Sequence, residues 1–245
     1  MRYLLIMWLM LLPLSLFGQD YYDAPYERAQ VGLVGGLDFS WQSGAYTTGD
    51  AQFDCCRFSG GNGIGRVAGV RSIVSLTPLT FLRAGVTFEQ LNAIYPVEME
   101  AYPVLTRENR VVFAQFEEEL EISLDLFTVD MMIAYRVVPP GMYVAAGPSY
   151  SVFMSKHQTQ TERLISPPDI EFVDGGRSHL LLDSEIEDLS SFLSLRLGAG
   201  AFVPLSQMFF ANPEVLFTLP LNDVQEDGEW SVAGFTFTLG VLLVL

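Results

Sequence analysis

Successive side chains of a β-strand point to opposite faces, so a half-buried strand is legible as apolar residues at every second position. From Val31 to Trp41 the odd positions are apolar or glycine and end on an aromatic, while the even ones are mostly small or polar. The same alternation predicts strands over Ile64–Leu76, Thr80–Leu91, Leu120–Arg136, Met142–Met154, Ser190–Val203, Met208–Leu219 and Trp230–Leu245. In the sixth, Leu193, Leu195, Leu197, Ala199, Ala201 and Val203 form one face and Phe192, Ser194, Arg196, Gly198 and Gly200 the other. In the fourth, Leu120, Ile122 and Leu124 share one phase and Val129, Met131, Ile133 and Tyr135 the other. A bulge near Leu126 and Phe127, or a strand continuing above a membrane, accounts for that change.

The connections alternate in length. Thr77–Leu79, Val137–Gly141 and Pro204–Gln207 are tight turns, whereas Gln42–Gly63, Asn92–Glu119, Ser155–Leu189 and Pro220–Glu229 are long and polar. Short turns at one end and long loops at the other match an outer-membrane barrel. The 245 residues are 50% hydrophobic but only 17% charged, below the quarter typical of soluble domains. After the first twenty residues there is no apolar run of transmembrane-helix length. With 21 Gly and 13 Pro, the hydrophobicity is spread over short extended segments.

A soluble eight-stranded lipocalin-like binder would turn the apolar face inward and carry its charge outside. The less apolar faces hold Asp38, Arg71, Arg83, Glu89, Asp130, Arg136, Arg196 and Glu214, four acids and four bases. Sparse, balanced charge suits a narrow lumen, where an arginine persists only beside a carboxylate. The expectation is therefore all-β: an eight-stranded antiparallel up-and-down transmembrane barrel over 31–245, its lumen filled by side chains and that charge network. Trp41, Phe88, Tyr150 and Trp230 are placed in an aromatic girdle near the loop ends, and Tyr135, Tyr143 and Phe209 near the turn ends.

The start of the chain is a targeting segment. Met1 and Arg2 open it, Tyr3–Leu16 is its apolar core, and cleavage is expected after Gly18, leaving a periplasmic lead over 19–30. The acidity, 29 Asp and Glu against 13 Lys and Arg, falls outside the strands. Segments 42–62, 92–121, 154–189 and 220–229 contribute −1, −5, −5 and −4, and the strands sum to zero. Nucleic acid is excluded as a partner, because phosphate binding needs clustered bases and this chain has one lysine.

Met142–Tyr150, with its Ala145-Ala146-Gly147-Pro148 core, resembles a strand of the small outer-membrane β-barrel domain (porin-like) family of the Bacteroidota type. Val129–Arg136 is similar to the strand before it, and Val215–Asn222 to the penultimate strand and following loop. The resemblance implies an eight-stranded barrel in the outer membrane of a Gram-negative bacterium, usually without assigned activity, and admits a secretion-accessory role. The chain departs from many such barrels in ending on Leu245 rather than an aromatic.

Candidate chemistry is sparse. Cys55 and Cys56, adjacent in the first long loop, could form a strained disulfide, redox pair or intermolecular link in an exported chain, but a passive loop staple or two unpaired thiols is the preferred reading. His157 and His179 lie in the third loop with Ser155, Ser178, Asp183 and Glu185, the residue types of a lipid-modifying hydrolase acting on lipid A. No nucleophile elbow frames them, so surface histidines are the preferred reading and no enzyme is expected. The acidic clusters at Glu117–Glu119, Glu185–Asp188 and Asp223–Glu229 lack the spacing of an EF-hand, so no specific metal site is expected, and no cofactor. The partners expected are outer-membrane lipid and lipopolysaccharide, with another envelope or extracellular protein reached through the loops.

Overall fold

The computed structural model describes residues 29–46, 58–106, 109–138, 141–172, 175–186, 189–225 and 230–245. The signal segment 1–18, the lead up to residue 28, and Cys55 and Cys56 lie outside the described residues. Strands are β1 (Ala29–Tyr46), β2 (Phe58–Ser75), β3 (Thr80–Glu98), β4 (Tyr102–Leu105), β5 (Val111–Val138), β6 (Met142–Ser166), β7 (Ser178–Glu185), β8 (Phe192–Ala201), β9 (Val203–Pro204), β10 (Phe209–Pro220) and β11 (Ser231–Val244).

Eight of them close a ring in the order β1, β2, β3, β5, β6, β8, β10, β11 and back to β1, every pairing antiparallel. One ladder row can be followed around it, from Val144 through Ala199, Val215, Phe237, Leu37, Arg66, Gln90 and Asp125. The row returns to β6 at Ser155, eleven residues above its start. That offset, less the one unpaired residue that β6 carries at Met154, is the shear of a closed barrel, and it tilts the strands against the axis. At Gly36 of β1 an added Cβ would lie 1.9 Å from the Phe237 carbonyl oxygen, so this close approach of β1 to β11 admits glycine alone.

Two of the three tight turns are held by their own hydroxyls, and the third by the Gly141 amide donating to the Val138 carbonyl at 3.0 Å. Thr77 Oγ1 accepts from the amides of Leu79 (3.3 Å) and Thr80 (2.9 Å), and Ser206 Oγ from those of Met208 (3.3 Å) and Phe209 (3.2 Å).

The outer wall is apolar and the wall alternates as expected. Leu33, Leu37, Phe39 and Trp41 of β1 are exposed, while Val34, Asp38, Ser40 and Gln42 are buried inside. In hydrocarbon every backbone polar group must be paired within the protein, which a closed ring achieves. An eight-stranded ring with an apolar wall, tight turns at one end and long extensions at the other has the build of a bacterial outer-membrane barrel, and the outer membrane is its location.

The fourth predicted strand settles the phase question. On β5 the even residues face inward from Ala114 to Ala134 without a break. Below Leu126 the outward residues are Phe127, Val129, Met131, Ile133 and Tyr135; above it they are Asp125, Ser123, Glu121, Glu119 and Glu117. What inverts is chemistry and not geometry. In the membrane the apolar side must meet lipid, and above it the apolar side must be hidden inside, as Leu120, Ile122, Leu124 and Leu126 are. The extra residue lies on the partner strand: Asp125 pairs with Ser155 and Leu126 with Phe153, leaving Met154 of β6 as the bulge. A bulge in β5 is thus corrected to one in β6, while the continuation above the membrane stands.

Two segments read from sequence as polar loops are largely strand. β3, β5 and β6 run past the belt, β4 pairs with β5 and β7 with β6, forming an extracellular blade. A small core of Ala114, Phe116 and Leu164, with Val104, Ile170 and Phe172 against it, fills its inner side. Arg177 ties down the connection between β6 and β7 by donating to the carbonyls of Leu164, Ile165, Pro167 and Ile170 at 2.9 to 3.4 Å.

Candidate functional site

Inward positions of the barrel form three layers. Toward the turns lies an apolar layer that includes Ile73, Phe81, Met132, Phe202, Phe210 and Leu242. Toward the outside lies a second, with Phe58, Tyr95, Leu120, Ile122, Leu124, Phe192 and Trp230. The charges sit between them. Trp230 is fully buried, its Nε1 donating to Tyr95 Oη (3.1 Å), which in turn donates to Gln42 Oε1 (2.5 Å), so the extracellular mouth is closed by a bonded aromatic plug.

The middle layer is an alternating chain of ions. Arg71 Nη2 lies 2.6 Å from Glu214 Oε2, which also accepts from Arg83 Nη2 at 2.9 Å. Arg83 Nη1 pairs with Asp130 Oδ1, and Asp130 Oδ2 faces Arg196 Nη1 at 3.6 Å, an ion-pair distance beyond hydrogen-bond reach. Arg196 Nη2 then donates to both oxygens of Glu89 at 2.8 Å. Three guanidinium groups and three carboxylates from β2, β3, β5, β8 and β10 therefore neutralise one another, and all six are buried. Neutral groups take up remaining lone pairs: Tyr143 Oη donates to Glu214 Oε1 (2.9 Å), Thr87 Oγ1 to Glu89 Oε1 (2.7 Å), and Arg71 Nη1 donates to Asn212 Oδ1 (2.7 Å). Space for this comes from small residues opposite: a Cβ on Gly85 would lie 2.8 Å from an Asp130 carboxylate oxygen.

Two of the eight expected members stand outside that chain. Asp38 is buried but accepts only from Thr236 Oγ1 (2.6 Å) among the described contacts. Arg136 belongs at the turn-end mouth, where its guanidinium lies over the rings of Phe81 and Phe202 at 5.6 and 5.8 Å and donates to the Pro78 carbonyl at 3.2 Å. Its place in the lumen network is corrected: a guanidinium near water needs no carboxylate, and aromatic faces suffice. The girdle needs a similar correction. Trp41, Phe88, Tyr150, Tyr135 and Phe209 face outward, but Trp230 and Tyr143 are buried inside. Trp230 shares the even phase of Thr236 and Thr238, which was the signal in the sequence for its inward direction.

The blade separates the histidine candidates. His157 Nε2 lies 2.6 Å from Asp183 Oδ1 across β6 and β7, with both side chains about half exposed. His179 lies beside the Phe172 ring, 5.7 Å between centroids, opposite Glu162 in the ladder. Ser155 pairs with Asp125, Ser178 with Arg163, and Glu185 with His157 in the strand register. The two histidines are thus five ladder rows apart, on opposite faces of the sheet. Sequence reasoning also missed a buried acid, Glu118, which accepts from Gln160 Nε2 at 2.8 Å and stands opposite Glu162. Burial first, then the Glu118 carboxylate, hold the Glu162 carboxyl above its ordinary range, with His179 acting the other way. Burial and these two acids likewise raise the Tyr102 phenol.

No protein-family model matches the chain, and no curated protein matches it. Solved structures similar to it are small outer-membrane barrels. Ail, the attachment invasion locus protein of Yersinia pestis, is 10% identical with a TM-score of 0.33, over 88% of this chain and 99% of Ail. Neisserial surface protein A is 10% identical with a TM-score of 0.37, over 89% and 100%. OprG of Pseudomonas aeruginosa is 10% identical with a TM-score of 0.39, over 90% and 97%. At such distances the fold rests on the chain's own strand pairing.

Proposed function

We propose that this chain is a non-enzymatic outer-membrane protein whose closed barrel anchors a rigid extracellular sheet for surface interaction. The observation that carries the reading is the three-layer lumen: a neutral ion chain lies between two buried apolar layers, while the strands continue outward as a blade. Eight strands leave an interior that side chains can fill. Lipid and lipopolysaccharide bathe the belt, and the partner is met by the blade. A Bacteroidota-type affiliation is part of this proposal, supported by the segments Met142–Tyr150, Val129–Arg136 and Val215–Asn222.

Planar-bilayer recordings of the purified protein test the plug. The expected result is a closed bilayer, with brief conductance appearing when Trp230→Gly and Tyr95→Ala open the outer layer; a large steady conductance in the unaltered protein overturns the reading. Lipid A composition is expected to be unchanged in a strain lacking the chain and in His157→Ala and His179→Ala variants. A loss of modified lipid A would instead establish an enzyme.

A further inference from the structure

The two faces of the blade differ. The inner face is occupied by Tyr102 and Phe116, stacked at 4.9 Å between centroids, with Leu164 and Phe172. Among the described residues nothing packs on the outer face of the tip, where the large apolar side chains are exposed. At its tip Pro103 and Leu105 of β4 stand across the ladder from Phe113 and Val111 of β5. Leu105, Val111 and Phe113 are 67%, 67% and 69% exposed, and Ile165 of β6 is exposed as well. Lipid does not cover them, since Phe113 lies twelve residues up β5 from Asp125, about 40 Å of strand at the usual rise.

Toward the membrane the same face of β5 carries Glu117, Glu119 and Glu121. Glu117 stands opposite Glu98 of β3 on one side and Arg163 of β6 on the other, and Arg163 Nη2 is 4.0 Å from Glu119 Oε2. One base thus serves four acids among the described residues of this stem. Like charges directly opposite each other destabilise a sheet, and a contiguous apolar patch in water marks an interaction surface. One occupant relieves both.

We infer that the outer face of the blade docks a basic polypeptide segment, with apolar side chains on the Leu105, Val111 and Phe113 tip and Lys or Arg along the Glu98, Glu117, Glu119 and Glu121 stem. A second copy of this chain would bring the same acids to the contact, and an anionic glycan would be repelled by them. The inference rests on the reading of the chain as a surface-interaction barrel and names the chemistry of its partner.

The test uses the full-length protein in nanodiscs of zwitterionic lipid and a labelled peptide with a Leu-Val-Phe head and an alternating Lys-Thr tail, followed by fluorescence anisotropy. Saturable binding is expected, weakening with salt. It should fall at least about tenfold with Val111→Ser and Phe113→Ser, and similarly with Glu117→Gln and Glu119→Gln, as loss of central contacts does. Each variant is first checked for the gel shift on boiling that marks a folded barrel. Equal binding of a Glu-Thr version of the peptide overturns the inference, as does binding indifferent to both sets of substitutions. So does concentration-dependent dimerisation abolished by Phe113→Ser, or binding of heparin-type polysaccharide lost in the same variants. No peptide binding by a barrel that remains closed to ions overturns the docking inference alone; an open conductance overturns the surface-display reading itself.

Discussion

The lumen and the blade use the same residue types to opposite ends. Inside the barrel, Arg71, Glu214, Arg83, Asp130, Arg196 and Glu89 alternate in sign and neutralise one another. On the outer stem of the blade, Glu98, Glu117, Glu119 and Glu121 accumulate around Arg163. The difference follows from the medium. A buried charge without a partner costs several kcal/mol, and six of the seven buried lumen residues of this set, all but Asp38, stand in one balanced chain. In water, like charges opposite each other in a sheet cost only about 0.2–1 kcal/mol, well below the cost of a buried unpaired charge, so the blade can carry an unbalanced face.

Breaking the lumen side of this comparison has the largest expected effect. Among the described residues, Glu214→Leu removes the only carboxylate within ion-pair distance of Arg71 and one of two serving Arg83, and should destabilise the barrel by about 3–5 kcal/mol. Adding Arg71→Met to it should recover part of that loss, because the orphaned charge goes too. Urea midpoints of the protein in micelles, read from the boiling-dependent gel shift, check both. Gly85→Ala should cost about 1–3 kcal/mol by crowding Asp130, measured the same way.

Smaller effects belong to the blade. Glu162 is held in its neutral form more strongly when folded than when unfolded, so the folded state binds the extra proton. Its contribution to stability is greatest in acid and declines as pH rises from the ordinary carboxylate value, about 4.3, through the raised one. Thermal midpoints should therefore fall over that window in the unaltered chain, and Glu162→Gln should flatten the trend. A slope unchanged by the substitution would assign it elsewhere. The smallest effect expected is for Glu98→Gln, which relieves one opposed pair and should stabilise the blade by about 0.2–1 kcal/mol, visible as slower amide exchange in β3 and β5.

Much of the lumen was legible. Alternation located the wall strands, and the less apolar phase named Asp38, Arg71, Arg83, Glu89, Asp130, Arg196 and Glu214 as inward residues, all of which are buried. Arg136 failed because phase says which face a residue is on but not whether it is deep or at a mouth. The blade was less legible. Apolar alternation continues in Leu120, Ile122 and Leu124, but with the sides exchanged, and it fades where Gln158, Gln160 and Glu118 take inward positions.

The sequence by itself determined an antiparallel barrel, the direction of its wall residues and the near-balance of charge in the membrane belt, because a period of two and a lipid boundary constrain each residue locally; the observed strands as a whole are acidic, since β5 carries Glu117, Glu118, Glu119 and Glu121 above the belt. Only the tertiary structure decided which arginine meets which carboxylate and that the acidic segments above the belt are strands. Those outcomes depend on shear and register, which join residues as far apart as Arg71 and Glu214, and no local pattern carries that information.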